Sequence, residues 1–190
     1  MYTDCIVTAI AETPLGPMVI GAASQGICLV EYSNGRRLEP EFNTLRRLFQ
    51  CDIVPGQNEL LEQLRAELAK YFAGELIRFQ VPLVYPGSEF QRAVWDTLRL
   101  IPYGESLSYD ALAHKLGRPK AVRAVGTANS QNRIAILIPC HRVVNKNGQL
   151  GGYGGGLWRK KALLELERRV AGKDNLQLPL AGLFSHGKTE

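Results

Sequence analysis

Residues 108–130 read SYDALAHKLGRPKAVRAVGTANS, and this stretch decides how the C-terminal half is built. Ser108 supplies a hydroxyl N-cap, so a short helix runs on to Leu116, and Gly117 closes it. Arg118-Pro119 leads at once into a second helix over Lys120 to Ser130, with Pro119 near its first turn, where the missing N–H does no harm. Two short helices joined by a tight glycine-containing turn make a helix-turn-helix pattern. The same pattern fits any helical hairpin, and nothing local separates the two. On the second helix Lys120, Arg123 and Thr127 share one side, while Val122 and Val125 turn toward the core. Ala121, Ala124 and Ala128 are small enough to let the helix backbone approach a groove. A long arginine among small residues suits a wedge, and the free N–H groups at the helix start suit a phosphate. A solvated basic helix is the plain alternative.

Downstream, Ile134-Ala135-Ile136-Leu137-Ile138 is a continuous apolar run and therefore a buried segment. It ends in Pro139-Cys140-His141-Arg142. A glycine-rich loop spans Gly151 to Gly156, and a last helix covers Trp158 to Val170 with Leu163, Leu166 and Val170 inward. Upstream, Ser88 caps a helix through Leu100 whose inner face carries Phe90, Val94, Leu98 and Ile101. Val81 to Gly87, with two prolines and a glycine, reads as a linker. Before it, Asp4 to Ala11, Met18 to Ile20 and Ile27 to Val30 are short strands of an antiparallel meander. Helices over Glu41 to Phe49 and Glu59 to Phe72 follow, then an extended segment from Phe79 to Val84. The reading is an α/β N-terminal domain over 1–85, a mainly α-helical domain over 86–171, and a loose tail over 172–190.

A chain of 190 residues with 45% hydrophobic and 22% charged residues can bury a real core, which excludes wholesale disorder. No apolar run approaches the roughly 18 residues of a membrane span. The start Met1-Tyr2-Thr3-Asp4 does not resemble a secretion signal. The expectation is a soluble cytoplasmic protein. The formal net charge of +5 is unevenly spread. Residues 1–89 hold 7 basic and 11 acidic side chains; residues 90–170 hold 14 basic and 5 acidic. The helix-turn-helix half is therefore the half suited to a polyanion.

The four cysteines, Cys5, Cys28, Cys51 and Cys140, lie far apart with no CxxC, which argues against both a disulfide framework and a structural zinc. Cys5, Cys28 and Cys51 read as small buried hydrophobes. Cys140 differs in its neighbours. It follows a rigid proline at the end of a buried run, and a histidine and an arginine come next. Thiolate is the nucleophilic form, and a nearby base or positive charge is what makes it. On extended backbone His141 would reach Cys140 only through a water or a bend. A carboxylate should hold the imidazole, with Glu165 and Glu167 as candidates. A satisfied core histidine and a solvated helix glutamate are the plain readings of His141 and Glu167. The Gly151 to Gly156 loop fits neither GxGxxG nor a phosphate loop and suits a lid or a close backbone approach to a ligand.

Ile138-Pro139-Cys140-His141-Arg142-Val143-Val144 resembles the signature of the O6-alkylguanine-DNA alkyltransferases, the methylated-DNA–protein-cysteine methyltransferases. Ser108-Tyr109, the run Pro119 to Gly126, Asn132, Gly152-Tyr153 and Arg159-Lys160-x-x-Leu163-Leu164-x-x-Glu167 fall in that family's order and spacing. The resemblance is strong over residues 88–170, and Thr13-Pro14-Leu15-Gly16 extends it weakly into the N-terminal unit. It implies a ribonuclease H-like N-terminal domain and a winged helix-turn-helix-like C-terminal domain. Cys140 would be the alkyl acceptor, activated by a relay of Glu167, His141 and a water, with Asn132 bracing the turn. Arg123 would fill the base stack after the damaged guanine flips out, and Lys120, Ala124 and Thr127 would lie with it against the minor groove. Tyr109 would help rotate the phosphate and bond the flipped base. The carbonyls of Cys140 and Val143, with Tyr153 and the Gly154 backbone, would line the guanine pocket.

The implied protein is a monomer that binds double-stranded DNA and acts once, without cofactor. The resemblance leaves O4-alkylthymine open as a second substrate. Some members of the family hold a structural zinc in the N-terminal unit; Cys5 and Cys28 would supply two ligands, but the histidine partners are missing here, so no metal is expected. Two rival readings are a non-enzymatic binder of alkylated DNA, which would lack the acceptor cysteine, and a Cys-His hydrolase, which would not need the arginine-bearing helix.

Overall fold

A computed structural model describes residues 5–34 and 38–173. The tail expected over 172–190 lies outside the described residues from position 174 onward. Strands β1 (Ile6–Ala11), β2 (Met18–Ala23) and β3 (Gly26–Tyr32) form the antiparallel meander. A fourth strand, β4 (Ile53–Pro55), lies parallel to β1, so the sheet is mixed, in the order β3-β2-β1-β4. Three residues ending in a proline are too short to show an alternation, which is why the sequence hid this strand.

Alternation sorts the side chains into two layers. Val7, Ala9 and Ala11 of β1 and Met18, Ile20 and Ala22 of β2 face the main core. Ile6, Val19 and Ala23 face a smaller cluster under α1 (Leu38–Phe49), where Leu45 is buried. Helix α2 (Glu59–Ala73) covers the main-core face with Leu61, Leu64, Leu68 and Tyr71. Its N-terminus is capped by Asn58, whose side chain accepts from the Leu61 N–H at 2.9 Å, and Gly74 ends it in the left-handed conformation that glycine favours.

The outer edge of β3 is where the halves join. Ile27 N–H donates to Pro82 O at 2.8 Å, and Val84 N–H donates to Ile27 O at 2.9 Å. Further along, Val30 N–H donates to Arg133 O and Ala135 N–H donates to Val30 O. An edge strand that would otherwise expose its N–H and C=O groups is thereby paired. The segment from Phe79 to Val84 joins the sheet by a single bridge, Leu83 beside Ile27, and its Gln80 and Val81 N–H groups donate to Glu67 on α2; the Ile134 to Ile138 run is buried but is not a strand. Ile136 sits at φ 73, so the run folds back on itself.

The second half carries α3 (Glu89–Arg99), β5 (Leu107–Ser108), α4 (Tyr109–Lys115), α5 (Val122–Ser130), β6 (Val143–Val144) and α6 (Leu157–Val170). Ser88 and Gln91 form a reciprocal capping box on α3, and Ser108 caps α4 through the Ala111 N–H at 3.0 Å. A 3-10 turn over Pro119–Ala121 precedes α5, so the regular helix begins two residues later than Lys120. Parallel pairing of β5 with β6 requires a crossover, and α4 and α5 are that crossover. The helix pair is thus strapped to the strand that follows Cys140. Val125 is buried, as read from the sequence, but Val122 is only half-buried. One core runs through both halves, from Ile20, Val30 and Leu64 to Trp95, Val125 and Leu163. Among the described residues no helix is long and apolar enough to cross a membrane.

Candidate active site

Cys140 opens a 3-10 turn over Cys140–Arg142, so the backbone there is bent rather than extended. Asn132, itself buried, organises this turn. Its Oδ1 accepts from the Ile134 N–H at 3.0 Å, and its Nδ2 donates to Ile138 O at 2.8 Å and to Cys140 Sγ at 3.1 Å. One amide therefore fixes both ends of the fold-back and touches the sulfur.

His141 and Glu167 are fully buried. His141 Nε2 lies 2.8 Å from Glu167 Oε1, while His141 Nδ1 is buried with no hydrogen-bond partner among the described residues. Glu167 gathers four further donors. Tyr71 OH donates at 2.7 Å, Arg142 donates through Nε at 2.8 Å and Nη2 at 3.0 Å, and the Gly104 N–H donates at 3.1 Å. Burial alone would raise the Glu167 carboxyl, but His141 and Arg142 outweigh it and hold the group well below the usual carboxylate range. Burial lowers His141, with Glu167 opposing and Arg142 and Lys160 assisting. At neutral pH the pair is carboxylate and neutral imidazole. An ionised carboxylate only accepts, so Nε2 carries the ring proton and Nδ1 keeps its lone pair.

The face of α6 explains how Glu167 came to be buried. Arg159, Lys160, Leu163, Leu164 and Glu167 are the buried residues, and Val170, expected inward, is at the surface. The buried stripe runs at helical spacing, but charged residues occupy part of it, so an apolar pattern alone misplaced it. Reading the sequence also missed Tyr71, Arg142 and Lys160. Arg142 was visible only as a charge beside His141. Tyr71 carried no local signal, because it arrives from α2 across the junction of the halves.

Cys140 faces a cavity of about 320 Å³ that Glu31, Tyr109, Asn129, Asn132, Tyr153 and Gly154 help to line. Tyr153 OH is buried at the cavity wall. The Val143 carbonyl accepts from Lys160 Nζ at 2.6 Å, and Val143 is not among the cavity-lining residues. A groove of about 570 Å³ adjoins the cavity and holds Arg123, Thr127, Asn145 and Lys146; Tyr109, Gly126 and Ser130 border both. Lys120, Arg123, Ala124 and Thr127 are all exposed on this side, whereas Ala128 is buried, its carbonyl taken by the Trp95 indole at 2.9 Å. Cys28, by contrast, is buried in the smaller apolar cluster with Leu29 and Leu45, and burial pushes its thiol up to about 12. Among the described residues no three His, Cys, Asp or Glu side chains gather into a metal-binding group.

Comparison with known proteins matches both halves of the chain. Residues 6–85 match the ribonuclease-like domain of 6-O-methylguanine DNA methyltransferase, and residues 89–169 match its DNA binding domain. The chain belongs to the 6-O-methylguanine DNA methyltransferase family. A methylated-DNA–protein-cysteine methyltransferase of Methanosarcina acetivorans is 42% identical over 159 residues, covering 84% of this chain and 96% of that protein. Its counterpart in Mycobacterium tuberculosis is 46% identical over 164 residues, covering 86% and 93%. The crystal structure of Mycobacterium tuberculosis OGT in complex with DNA superposes with a TM-score of 0.73 at 38% identity, covering 87% of this chain and 94% of that one. Family membership places the mixed sheet in the ribonuclease-like domain, and the cavity, the groove and Cys140 in or beside the DNA-binding domain.

Proposed function

We propose that this chain is a DNA repair protein that moves the alkyl group of O6-alkylguanine in double-stranded DNA onto Cys140 Sγ, once per molecule. The observation that carries the reading is the buried line from Glu167 through His141 to the Cys140 turn, set beside a cavity that opens onto the Arg123 groove. Glu167 fixes the His141 tautomer, and the free Nδ1 lone pair takes the Cys140 proton by way of a water. Sγ then bonds to the alkyl carbon as the carbon–O6 bond breaks. The electrons of that bond remain on guanine, which takes up one proton, so the thiol proton in effect replaces the alkyl group on the base. Asn132 Nδ2 donates to the sulfur as its negative charge develops. A thioether has no easy leaving route, so the transfer is irreversible and the protein is consumed.

The reacting carbon is hidden inside a duplex, and extruding a base costs a few kcal/mol. Arg123, long and exposed at the groove, fills the vacated stack, with Lys120, Ala124 and Thr127 against the minor groove beside it. Tyr109, at the border of groove and cavity, meets the base on its way in. Tyr153, Gly154 and the carbonyl of Cys140 hold the base, while the Val143 carbonyl, bound by Lys160, lies outside the cavity lining. The protein acts as a monomer in the cytoplasm, and its affinity falls with salt because phosphate contacts dominate.

The test is mass spectrometry after incubation with duplex DNA containing O6-methylguanine. The Cys140 peptide gains one methyl group, in proportion to lesions removed. An unmodified Cys140 peptide overturns the reading, and many lesions removed per chain indicate hydrolysis instead.

A further inference from the structure

Lys160 is a fully buried lysine on α6. Its ammonium donates to three backbone carbonyls, Val143 O at 2.6 Å, Gly151 O at 3.1 Å and Gly152 O at 3.4 Å. Among the described residues no carboxylate lies within ion-pair distance of it. Carbonyl dipoles solvate a buried cation but leave its charge uncancelled. The surrounding charges are already matched, Glu167 by Arg142, with His141 neutral. With Cys140 as a thiol, the Lys160 ammonium therefore has no carboxylate counter-ion among the described residues; Glu31, buried on the same cavity wall, is not within ion-pair distance of it.

The position of that charge is specific. Val143, which accepts the shortest of the three bonds, also closes the Cys140 turn by donating its N–H to Cys140 O. Gly152 shares the cavity wall with Cys140. The groups facing Lys160 are Cys140 and His141 from the turn and Tyr109 from α4, whose ring centre is 6.0 Å from Nζ. We propose that Lys160 is the counter-charge of the Cys140 thiolate, a positioning residue that makes the nucleophile available and ties the 151–152 loop to the turn that carries it. Burial lowers Lys160 to about 8 while Cys140 pulls it back up, and Lys160 helps keep His141 neutral and able to take the proton. The inference rests on Cys140 as the alkyl acceptor, but its test needs no DNA.

The test compares Lys160→Gln, which keeps N–H donors for the carbonyls and removes the charge, with Lys160→Arg, which keeps the charge. Iodoacetamide alkylation of Cys140 is followed against pH by peptide mass spectrometry, the S–C bond forming as iodide leaves. The glutamine variant reacts about tenfold more slowly at pH 7, and its rate rises only at higher pH; the arginine variant keeps the wild-type profile. Equal profiles in both variants overturn the proposal and leave Lys160 a loop anchor. Should neither variant fold, lysine-directed NMR on the wild-type chain decides. Titrated before and after carbamidomethylation of Cys140, Lys160 loses its proton at lower pH once the sulfur can no longer ionise, and an unmoved titration overturns the proposal. Failure here leaves the DNA mass test untouched, so the two ideas fail separately.

Discussion

His141 Nε2 and Glu167 Oε1 are 2.8 Å apart, and neither side chain reaches solvent. The same carboxylate binds Arg142 through two nitrogens, so it orients the base and neutralises a buried cation at once. Glu167→Gln separates these duties from mere shape. A glutamine cannot accept from every donor that converges here, and Arg142 is left buried without its counter-charge. The expected loss is about 3–5 kcal/mol of folding stability by urea denaturation. Transfer to Cys140 slows by about 10²–10⁴-fold in single-turnover assays where the variant is still folded. Wild-type stability in this variant would remove Glu167 as the anchor of the site.

Both members of the pair lose stability in acid. His141 has a folded pKa below its ordinary 6.5, so the unfolded chain binds the extra proton first and stability falls as pH drops below about 6.5. Glu167, held far below its ordinary 4.5, adds stability that is complete above that value and drains away below it. Urea midpoints measured from pH 8 to about pH 2 should decline in two stages. His141→Gln should flatten the upper stage and leave the lower one; an unaltered upper stage would assign it to another group.

The chemistry of this site was legible where its residues are neighbours in sequence, and dark where they are not. Pro139-Cys140-His141-Arg142 and the helices on either side of Gly117, the first capped by Ser108 and the second led in by Pro119, announce themselves, because capping and turn chemistry are local. Glu165 and Glu167 were both candidates, and only resemblance chose Glu167, since its helix buries Arg159, Lys160 and Glu167 along the same stripe as Leu163 and Leu164. Tyr71 reaches Glu167 from 96 positions away, a contact that exists only because the edge of β3 brings the halves together. Strand β4 and the fold-back at Ile136 were hidden for a similar reason: tertiary pairing, not local propensity, sets them.

Tyr71→Phe tests that cross-junction contact alone. It removes one hydroxyl donor from a charged acceptor and keeps the ring that packs edge-on against Tyr103 at 6.0 Å. The expected cost is about 1.5–3 kcal/mol. Alkyl transfer should slow only modestly, because His141 and Arg142 still hold the carboxylate. A loss of activity as large as that of Glu167→Gln would mean that the tyrosine takes part in proton movement.

Arg123 is exposed in the groove, away from Cys140, so its deletion should not disturb the reaction itself. Arg123→Ala should weaken repair of duplex DNA strongly while leaving reaction with a free O6-alkylguanine base near the wild-type rate. Equal losses with both substrates would deny Arg123 a part in extruding the base.

Gly155 lines the cavity beside Cys140. A Cβ there would stand 2.5 Å from two ring carbons of Tyr32 and 2.9 Å from the Tyr153 ring. Tyr32 cannot give way, because it is fully buried and the Arg159 guanidinium lies 4.1 Å above its ring. Arg159 also holds the loop by donating to Gly155 O at 2.9 Å and bridges to Leu15 O at 2.8 Å. Gly155→Ala must therefore push the 153–156 loop toward Cys140. Overpacking of this kind costs about 1–3 kcal/mol. It should also shrink the cavity, so transfer from a benzyl-substituted guanine falls further than transfer from a methyl-substituted one. Parallel single-turnover rates on the two substrates read this out, and an unchanged ratio would show that the loop is not the wall that limits substrate size.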